Sequence, residues 1–511
     1  GIRAVLVILS VSGLGGAALA QPAVDYTVLG SISSQWSEKP WPNVHYTPND
    51  NRWLLFDFAG DGGVMLGDTI NSWFFRDGVS ARVRDNQQQV PGLPAGTRWG
   101  NAGGGANAPK LIASPSGYVM INAGIAGAPY IRTAAGGFER TSYTYTVAES
   151  GDSLVTSPSS GWGISHAGVV DEIIPGTAGP FTWYPAWNVY GGLGTSFPLG
   201  VAPDGRVWGF ARRFNPFPFS YFLFVADPAT HQARILAVDG APAPPLGTLA
   251  SFDHLSSYFA GVADDGTVLV EASIRDAAGV TAGGHYAVSD QGLWEAVFPN
   301  TTNLAALPPG VQFREYNFEA VTLNRHAHAA GLKQLSGAGV TTFNDTAIVT
   351  WDRDVGLRVI AREGDQVPGE PAGTLYGHFE ALYLSARGDL AFEDSSALYL
   401  HHPLVGTTTV ARVGRPVAGG LATDLPPTRI ATSYYQTTRT RTQEIRGGPT
   451  YIDGNGVGYF YAHSTPHYVA YAAQLHLPCP ADFNADGFVD FFDYSDFVTC
   501  FETGECPPGQ T

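Results

Sequence analysis

A short pattern of polar and apolar positions recurs along the chain. A polar or small residue is followed by two more residues, usually a glycine, and then alternating apolar residues. It reads Asn49-Asp-Asn-Arg-Trp-Leu-Leu-Phe56 and Ser114-Pro-Ser-Gly-Tyr-Val-Met-Ile121, with a weak copy at Pro158-Ser-Ser-Gly. Clearer copies are Ala202-Pro-Asp-Gly-Arg-Val-Trp208, Ala263-Asp-Asp-Gly-Thr-Val-Leu269 and Asn324-Arg-His-Ala-His-Ala-Ala330. Ser385-Ala-Arg-Gly-Asp-Leu-Ala-Phe392 and Asp453-Gly-Asn-Gly-Val-Gly-Tyr-Phe460 complete the set. From Ala202 to Ala263, Asn324 and Ser385 the steps are 61, 61 and 61 residues, and constant spacing of this kind marks a repeat architecture.

A second pattern falls between the copies. Trp351-Asp-Arg-Asp-Val-Gly-Leu-Arg-Val-Ile-Ala361 runs into Arg362-Glu-Gly-Asp-Gln-Val-Pro-Gly369, and Phe224-Val-Ala-Asp reaches Ile235-Leu-Ala-Val-Asp-Gly-Ala-Pro242 in the same way. Tyr286 to Trp294, Arg84 to Gly92 and Ala411 to Gly420 are looser versions. Each reads as strand, tight turn, strand, then a Gly/Pro loop. The glycine of the first pattern supplies a turn with positive φ, and the alternation after it gives a strand with a buried face.

Each unit therefore predicts three or four short strands, and the fold class is all-β. One four-stranded sheet cannot bury both faces, but several stacked around an axis can. The expectation is a β-propeller of about seven to eight blades across residues 21–477. A β-solenoid or two stacked sandwiches rank behind it, because 61 residues is a long period for a solenoid coil.

Composition agrees. Of 511 residues, 44% are hydrophobic and 14% charged, enough apolar material for a packed core. High Gly and Pro counts (63 and 36) with 12% aromatics favour short strands and turns over long helices. The net charge of −17 argues against a nucleic-acid footprint and leaves divalent cations as partners.

Residues 1–20 read as a secretory signal peptide. Arg3 precedes an apolar run from Ala4 to Val11, and Ala18-Leu19-Ala20 suits cleavage before Gln21. That run is too short for a spanning helix and gives way to Gly13, Gly15 and Gly16, and no later stretch is apolar enough to be a transmembrane segment. The expected location is secreted or at the cell surface. Cys479, Cys500 and Cys506 all lie in the tail, where export permits one disulfide and leaves one cysteine over.

The most local chemistry lies in the segment 478–511. In Asp482-Phe-Asn-Ala-Asp-Gly-Phe-Val-Asp-Phe-Phe-Asp493, oxygen side chains fall at loop positions 1, 3, 5, 9 and 12, with glycine at 6. Calcium takes six to eight hard oxygen ligands, and a twelve-residue loop can wrap them around one ion. The expected ligands are Asp482, Asn484, Asp486, the Phe488 carbonyl, Asp490 directly or through water, and Asp493. The shorter Asp493 leaves its ligation monodentate or draws the following helix inward. Phe492, Phe497, Val498 and Phe501 then recur near helical spacing, as one apolar face of a short helix.

Two resemblances follow. The alternation of Asn-x-x-Gly-x-x-Ala-Phe-like copies with Arg362-Glu-Gly-Asp-x-x-Pro-Gly369 resembles a family of secreted bacterial tandem-repeat proteins, over roughly Val24 to Leu477. That resemblance implies a propeller-like fold and no known catalytic activity. The chain departs from the pattern at Pro158 and at His326-Ala327-His328. The tail resembles the first half of a dockerin type I module, which implies Ca2+ as its ion and a cohesin-like or cell-surface partner. A full dockerin has two loop–helix units. The segment from Glu505 to Thr511 reads like the linker to a second, so the sequence is read as a fragment or as a single-loop variant.

Other signals are weaker. His326 and His328 are expected on one face of a strand, an arrangement that can hold a metal but lacks a third ligand. His401-His402 and His463 with His467 say less. Ser289 to Trp294 reads as a hairpin turn, and no serine-hydrolase elbow, phosphate loop or HExxH motif is present. Two functions remain. One is an exported non-enzymatic propeller that binds a protein partner or a glycan and is held by its calcium-dependent tail. The other is a secreted carbohydrate-active hydrolase or lyase carried by a dockerin.

Overall fold

The computed structural model describes strands between residues 24 and 475, with side chains described mainly over residues 206–412. Residues 1–23, many loops outside 206–412, and the tail after residue 475 except Val498 lie outside the described residues. So do the expected signal peptide, the three cysteines and the expected calcium loop.

Every element among the described strands is β and every pairing is antiparallel. Eight sheets of four to six strands follow one another along the chain. They occupy residues 55–85, 111–140, 144–174, 179–238, 242–299, 311–362 and 379–412, and a last sheet is built from both ends of the described chain. Within each sheet, strands neighbour one another largely in chain order. In the last sheet, Val24–Ser33 pairs with His467–Leu475, with Val24 opposite Leu475 and Ser33 opposite His467. This closing sheet contacts the seventh sheet through Thr450–Ile452 and the first through Val24–Ser33. Successive sheets joined in a ring, with the final one completed by the first strand, form the topology of a β-propeller.

The core lies between sheets. Along Val268–Arg275, Val268, Val270, Ala272 and Ile274 pack toward the fourth sheet with Trp208, Leu223 and Val225. Leu269, between them, packs toward the sixth sheet with Phe313, Ala329 and Val349. The next seam repeats this: Ala330, Ile348 and Ala361 of the sixth sheet meet Phe379, Leu390, Phe392 and Tyr399 of the seventh. Side chains alternate across a strand, so a sheet stacked on both sides must be apolar on both.

In most sheets the recurring pattern leads into the first of the sheet's last three strands. Its leading residue closes the turn: Ala263 N–H donates to Thr267 O, Asn324 N–H to His328 O, and Ser385 N–H to Asp389 O, at 2.8–2.9 Å. The fourth residue takes a left-handed conformation, with φ of 80° at Gly266 and 91° at Gly388. In the Asn324 copy that position is Ala327, at φ 61°. This corrects the placement of His326 and His328. They flank a left-handed residue in a turn and do not share the face of a strand.

Two copies are also corrected. Pro158 lies between Ser153–Thr156 and Trp162–His166, the second and third strands of their sheet, and Asn49 precedes the first strand Leu55–Phe58. The links between first and second strands in those sheets carry Ala59-Gly-Asp-Gly62 and Ala148-Glu-Ser-Gly151 instead. Every hairpin pairs a small turn with apolar alternation, so the pattern alone does not say which hairpin it occupies.

Removing residues 24–33 uncovers the edge of His467–Leu475, and an open edge invites pairing with other chains. A chain starting at residue 34 is expected to melt at least 10 °C below one starting at residue 21 and to associate. Calorimetry with size-exclusion chromatography checks this; equal melting of two monomers would rule out closure as the main restraint.

Candidate functional site

At one rim of the ring the recurring turns meet the hairpins between the last two strands of each sheet. Asn324 accepts through Oδ1 from the N–H groups of His326 and His328, at 3.0 and 2.9 Å, as an Asx turn does. Its Nδ2 donates to Ser385 O at 2.9 Å, which joins two turns of successive sheets. Ser385 does the same job with a hydroxyl, accepting from Arg387 N–H and Asp389 N–H at 3.2 and 3.0 Å. Ion pairs add a second link between sheets. Arg206 reaches Asp290 at 3.4 Å, and Arg353 reaches Glu295 at 3.1 Å and Asp265 at 3.5 Å. The charges swap sides between seams while the connection is kept. Exposed pairs of this kind contribute up to about 1 kcal/mol each.

The expected histidines are absorbed into this rim. His328 Nε2 lies 2.8 Å from Asp352 Oδ2, and His402 Nε2 lies 3.4 Å from Asp389 Oδ1. Buried Asp389 also accepts from Ser385 Oγ and from the Arg387 guanidinium at 3.0–3.1 Å. Burial pushes His401 down to about 4, with repulsion from His402 adding to it, so its imidazole is neutral and its Nδ1 bonds Thr407 Oγ1 at 3.0 Å. His463 and His467 stand near the hairpin of the closing sheet, in Val457–Ser464 and His467–Leu475. Ser289 to Trp294 is a hairpin turn, with Ser289 Oγ accepting from Gln291 N–H and Leu293 N–H.

Between the fifth and sixth sheets a lysine is fully buried. Lys333 Nζ lies 3.5 Å from His285 Nδ1 and 5.5 Å from the centre of the Phe313 ring. Burial, then the Lys333 charge, holds His285 well below the ordinary imidazole value, so its Nδ1 can accept from the ammonium.

The opposite rim carries the one group of three metal-ligating side chains found among the described residues: Asp345, Glu363 and His378, with ligand atoms within 4.8 Å of one another. Asp345 immediately precedes the strand Thr346–Asp352, Glu363 follows Gly356–Arg362, and His378 precedes Phe379–Leu384 of the next sheet. The group thus spans the seam between the sixth and seventh sheets. Glu363 Oε2 accepts from Thr346 Oγ1 at 2.9 Å and lies 3.5 Å from His378 Nδ1. Asp345 Oδ2 accepts from Gln334 Nε2 at 3.3 Å. The neighbouring Arg362 guanidinium turns away, donating to Asn344 O at 3.2 Å. Buried Asp394 accepts from Gly377 N–H at 2.7 Å and so fixes the backbone beside His378. Sequence reading found Glu363 inside its motif and missed Asp345 and His378, which no local spacing connects to it.

The expected calcium ligands Asp482, Asn484, Asp486, Phe488, Asp490 and Asp493 lie outside the described residues. Val498 alone is described in the tail, with helical backbone. Among the described residues no helix is long and apolar enough to cross a membrane.

Residues 219–402 match a family described as a family of unknown function, DUF7453. No curated protein matches the chain. Among solved structures, an oligogalacturonate lyase in complex with manganese is similar over 90% of this chain and 99% of its own, at 10% identity and a TM-score of 0.38. A virginiamycin B lyase from Staphylococcus aureus is similar over 88% and 99%, at 10% identity and a TM-score of 0.32. The Dos1 propeller is similar over 82% and 94%, at 8% identity and a TM-score of 0.37. Likenesses this distant carry no argument about activity, and the fold rests on the strand order above.

Asn324→Ala removes a turn acceptor and a buried donor together and is expected to lower unfolding stability by about 2 kcal/mol. Arg353→Ala, at a half-exposed pair, should cost less than about 1 kcal/mol. Denaturant titration of both variants checks the order; an equal or reversed order would show that the charges, not the turns, hold the rim.

Proposed function

We propose that this chain is an exported, non-enzymatic, eight-bladed propeller. It binds a protein partner or a glycan through one rim and is held by a calcium-binding, dockerin-like tail to a cohesin-like or cell-surface protein. The observation that carries the binding reading is the rim where the recurring turns lie. There the last hairpins of three successive sheets each present one apolar side chain: Leu293, Val355 and Leu404 are 56%, 52% and 74% exposed. A repeated apolar position on a polar, ion-paired rim suits a partner surface or the apolar face of a sugar ring. The polar groups around it are occupied in holding turns and sheets together, which favours binding over catalysis.

Ring closure supports the division of labour. The closing strand ends at Leu475, and the Asp482 to Asp493 loop follows within a few residues. The ring's described strands are complete at Leu475, so its closure does not draw on the tail, which suits a separate attaching role.

A glycan array together with a pull-down from the surface fraction of the source cells, scored for binding and for cleavage, tests the rim. Triple substitution Leu293→Ser, Val355→Ser and Leu404→Ser is expected to lower capture at least tenfold with the melting temperature unchanged. Cleavage abolished by one carboxylate substitution would replace this reading with the hydrolase or lyase alternative.

The tail has its own test. Calcium titration of the full chain is expected to show one site that is lost in Asp482→Ala with Asp486→Ala, while the ring's melting is unaffected. An equal response in that variant would reject the loop as the calcium site.

A further inference from the structure

We propose that Asp345, Glu363 and His378 form a site for a divalent transition ion of the Zn2+ kind, which clips the sixth sheet to the seventh. The site is separate from the rim surface and from the tail loop.

The donor set fits. Two carboxylates and an imidazole come from three chain segments, and their ligand atoms already lie within 4.8 Å of one another. A tetrahedral ion with bonds near 2.0–2.1 Å asks for about 3.4 Å between ligand atoms, so closure needs a movement of roughly 1 Å. His378 can make it, since its side chain is 60% exposed, whereas Glu363 is only 8% exposed and fixed. Each carboxylate is already aimed by a neutral donor, Thr346 hydroxyl on Glu363 and Gln334 amide on Asp345, the kind of outer support that orients metal ligands. Neither carboxylate has a lysine or arginine partner among the described residues, and the adjacent Arg362 is engaged elsewhere. Two carboxylates this close repel, and a dication between them offsets that repulsion. The imidazole nitrogen selects a transition ion over calcium or magnesium, which prefer oxygen.

The chain also contains its own comparison. Gln366-Val-Pro-Gly-Glu-Pro-Ala-Gly-Thr-Leu-Tyr-Gly-His378 has a near copy 277 residues earlier, Gln89-Val-Pro-Gly-Leu-Pro-Ala-Gly-Thr-Arg-Trp-Gly-Asn101. The two fold alike. Gln366 Oε1 accepts from Gly373 N–H at 2.8 Å, and Gln89 Oε1 accepts from Gly96 N–H at 2.6 Å. Matching bridges join Gln366 to Leu375 and Gln89 to Arg98. At the same offset Glu363 and His378 correspond to Asn86 and Asn101, while Asp345 corresponds to Asp68, or to Thr69 if the strands are aligned by register. The sister segment therefore lacks the counterparts of Glu363 and His378, so their presence at one seam is not a requirement of the turn.

Chelator-treated full-length protein titrated with ZnCl2 tests the proposal, by calorimetry and by thermal melting. One equivalent is expected to bind with micromolar or tighter affinity and to raise the melting temperature. His378→Asn, which copies the sister linker at an exposed position, should keep the metal-free melting temperature and lose Zn2+ affinity by roughly 100-fold or more, beyond the effect of removing outer support alone. Asp345→Asn should do the same. The tail variant Asp482→Ala with Asp486→Ala should keep the full Zn2+ response. Absence of saturable binding in the wild type, or undiminished binding in both His378→Asn and Asp345→Asn, would overturn the site. Neither result bears on the rim or the calcium loop.

Discussion

The pairing of Val24–Ser33 with His467–Leu475 is the contact on which the rest of the ring depends. The fifth and sixth sheets are apolar on both faces. Val268, Val270 and Ala272 are buried toward one neighbour and Leu269 toward the other, all at or near zero exposure. Such a sheet has no solvent side, so its burial is complete only when both neighbours are in place. A linear stack would leave two outer sheets with an apolar face in water. Joining the first strand to the last sheet removes both ends at once.

What connects the sheets at the rim is of a different kind from what fills the seams. The seams are apolar and aromatic, as at Tyr376, Phe379, Phe392 and Tyr399, whose ring centres lie 5.0–6.3 Å apart. Those contacts are strong but allow small slips of one sheet on another. The directional hydrogen bond from Asn324 to Ser385 O fixes the offset between turns of successive sheets. The ion pairs of Arg206 and Arg353 repeat that link with the charges exchanged. Packing supplies most of the stability, and the rim supplies the register.

Legibility in the sequence followed the distance between the residues that act together. The steps of 61 were readable because the turn residue, the left-handed position and the strand after it lie within eight residues of one another. The same shortness caused the errors. Pro158-Ser-Ser-Gly161 and Asn49 satisfy a pattern that any hairpin can satisfy, and only strand order assigns Ala148 and Ala59 to the equivalent links. His326 and His328 were two apart, as on a strand, but the fourth position of their turn is Ala327 in a left-handed conformation, which ends the alternation.

The two metal sites argued for this chain show the same limit from both sides. The proposed calcium loop has all its expected ligands within twelve residues, so spacing alone points to it, and those residues lie outside the described ones. Asp345, Glu363 and His378 are separated by 18 and 15 residues, and a strand and a linker must fold before they meet. No periodicity could have linked them. Repetition could have, because a repeat protein carries its own reference sequence. Where Gln89 to Asn101 and Gln366 to His378 agree, the shared residues are those that build the turn. Where they differ, with asparagines replaced by a carboxylate and an imidazole, the difference marks what one seam does beyond folding.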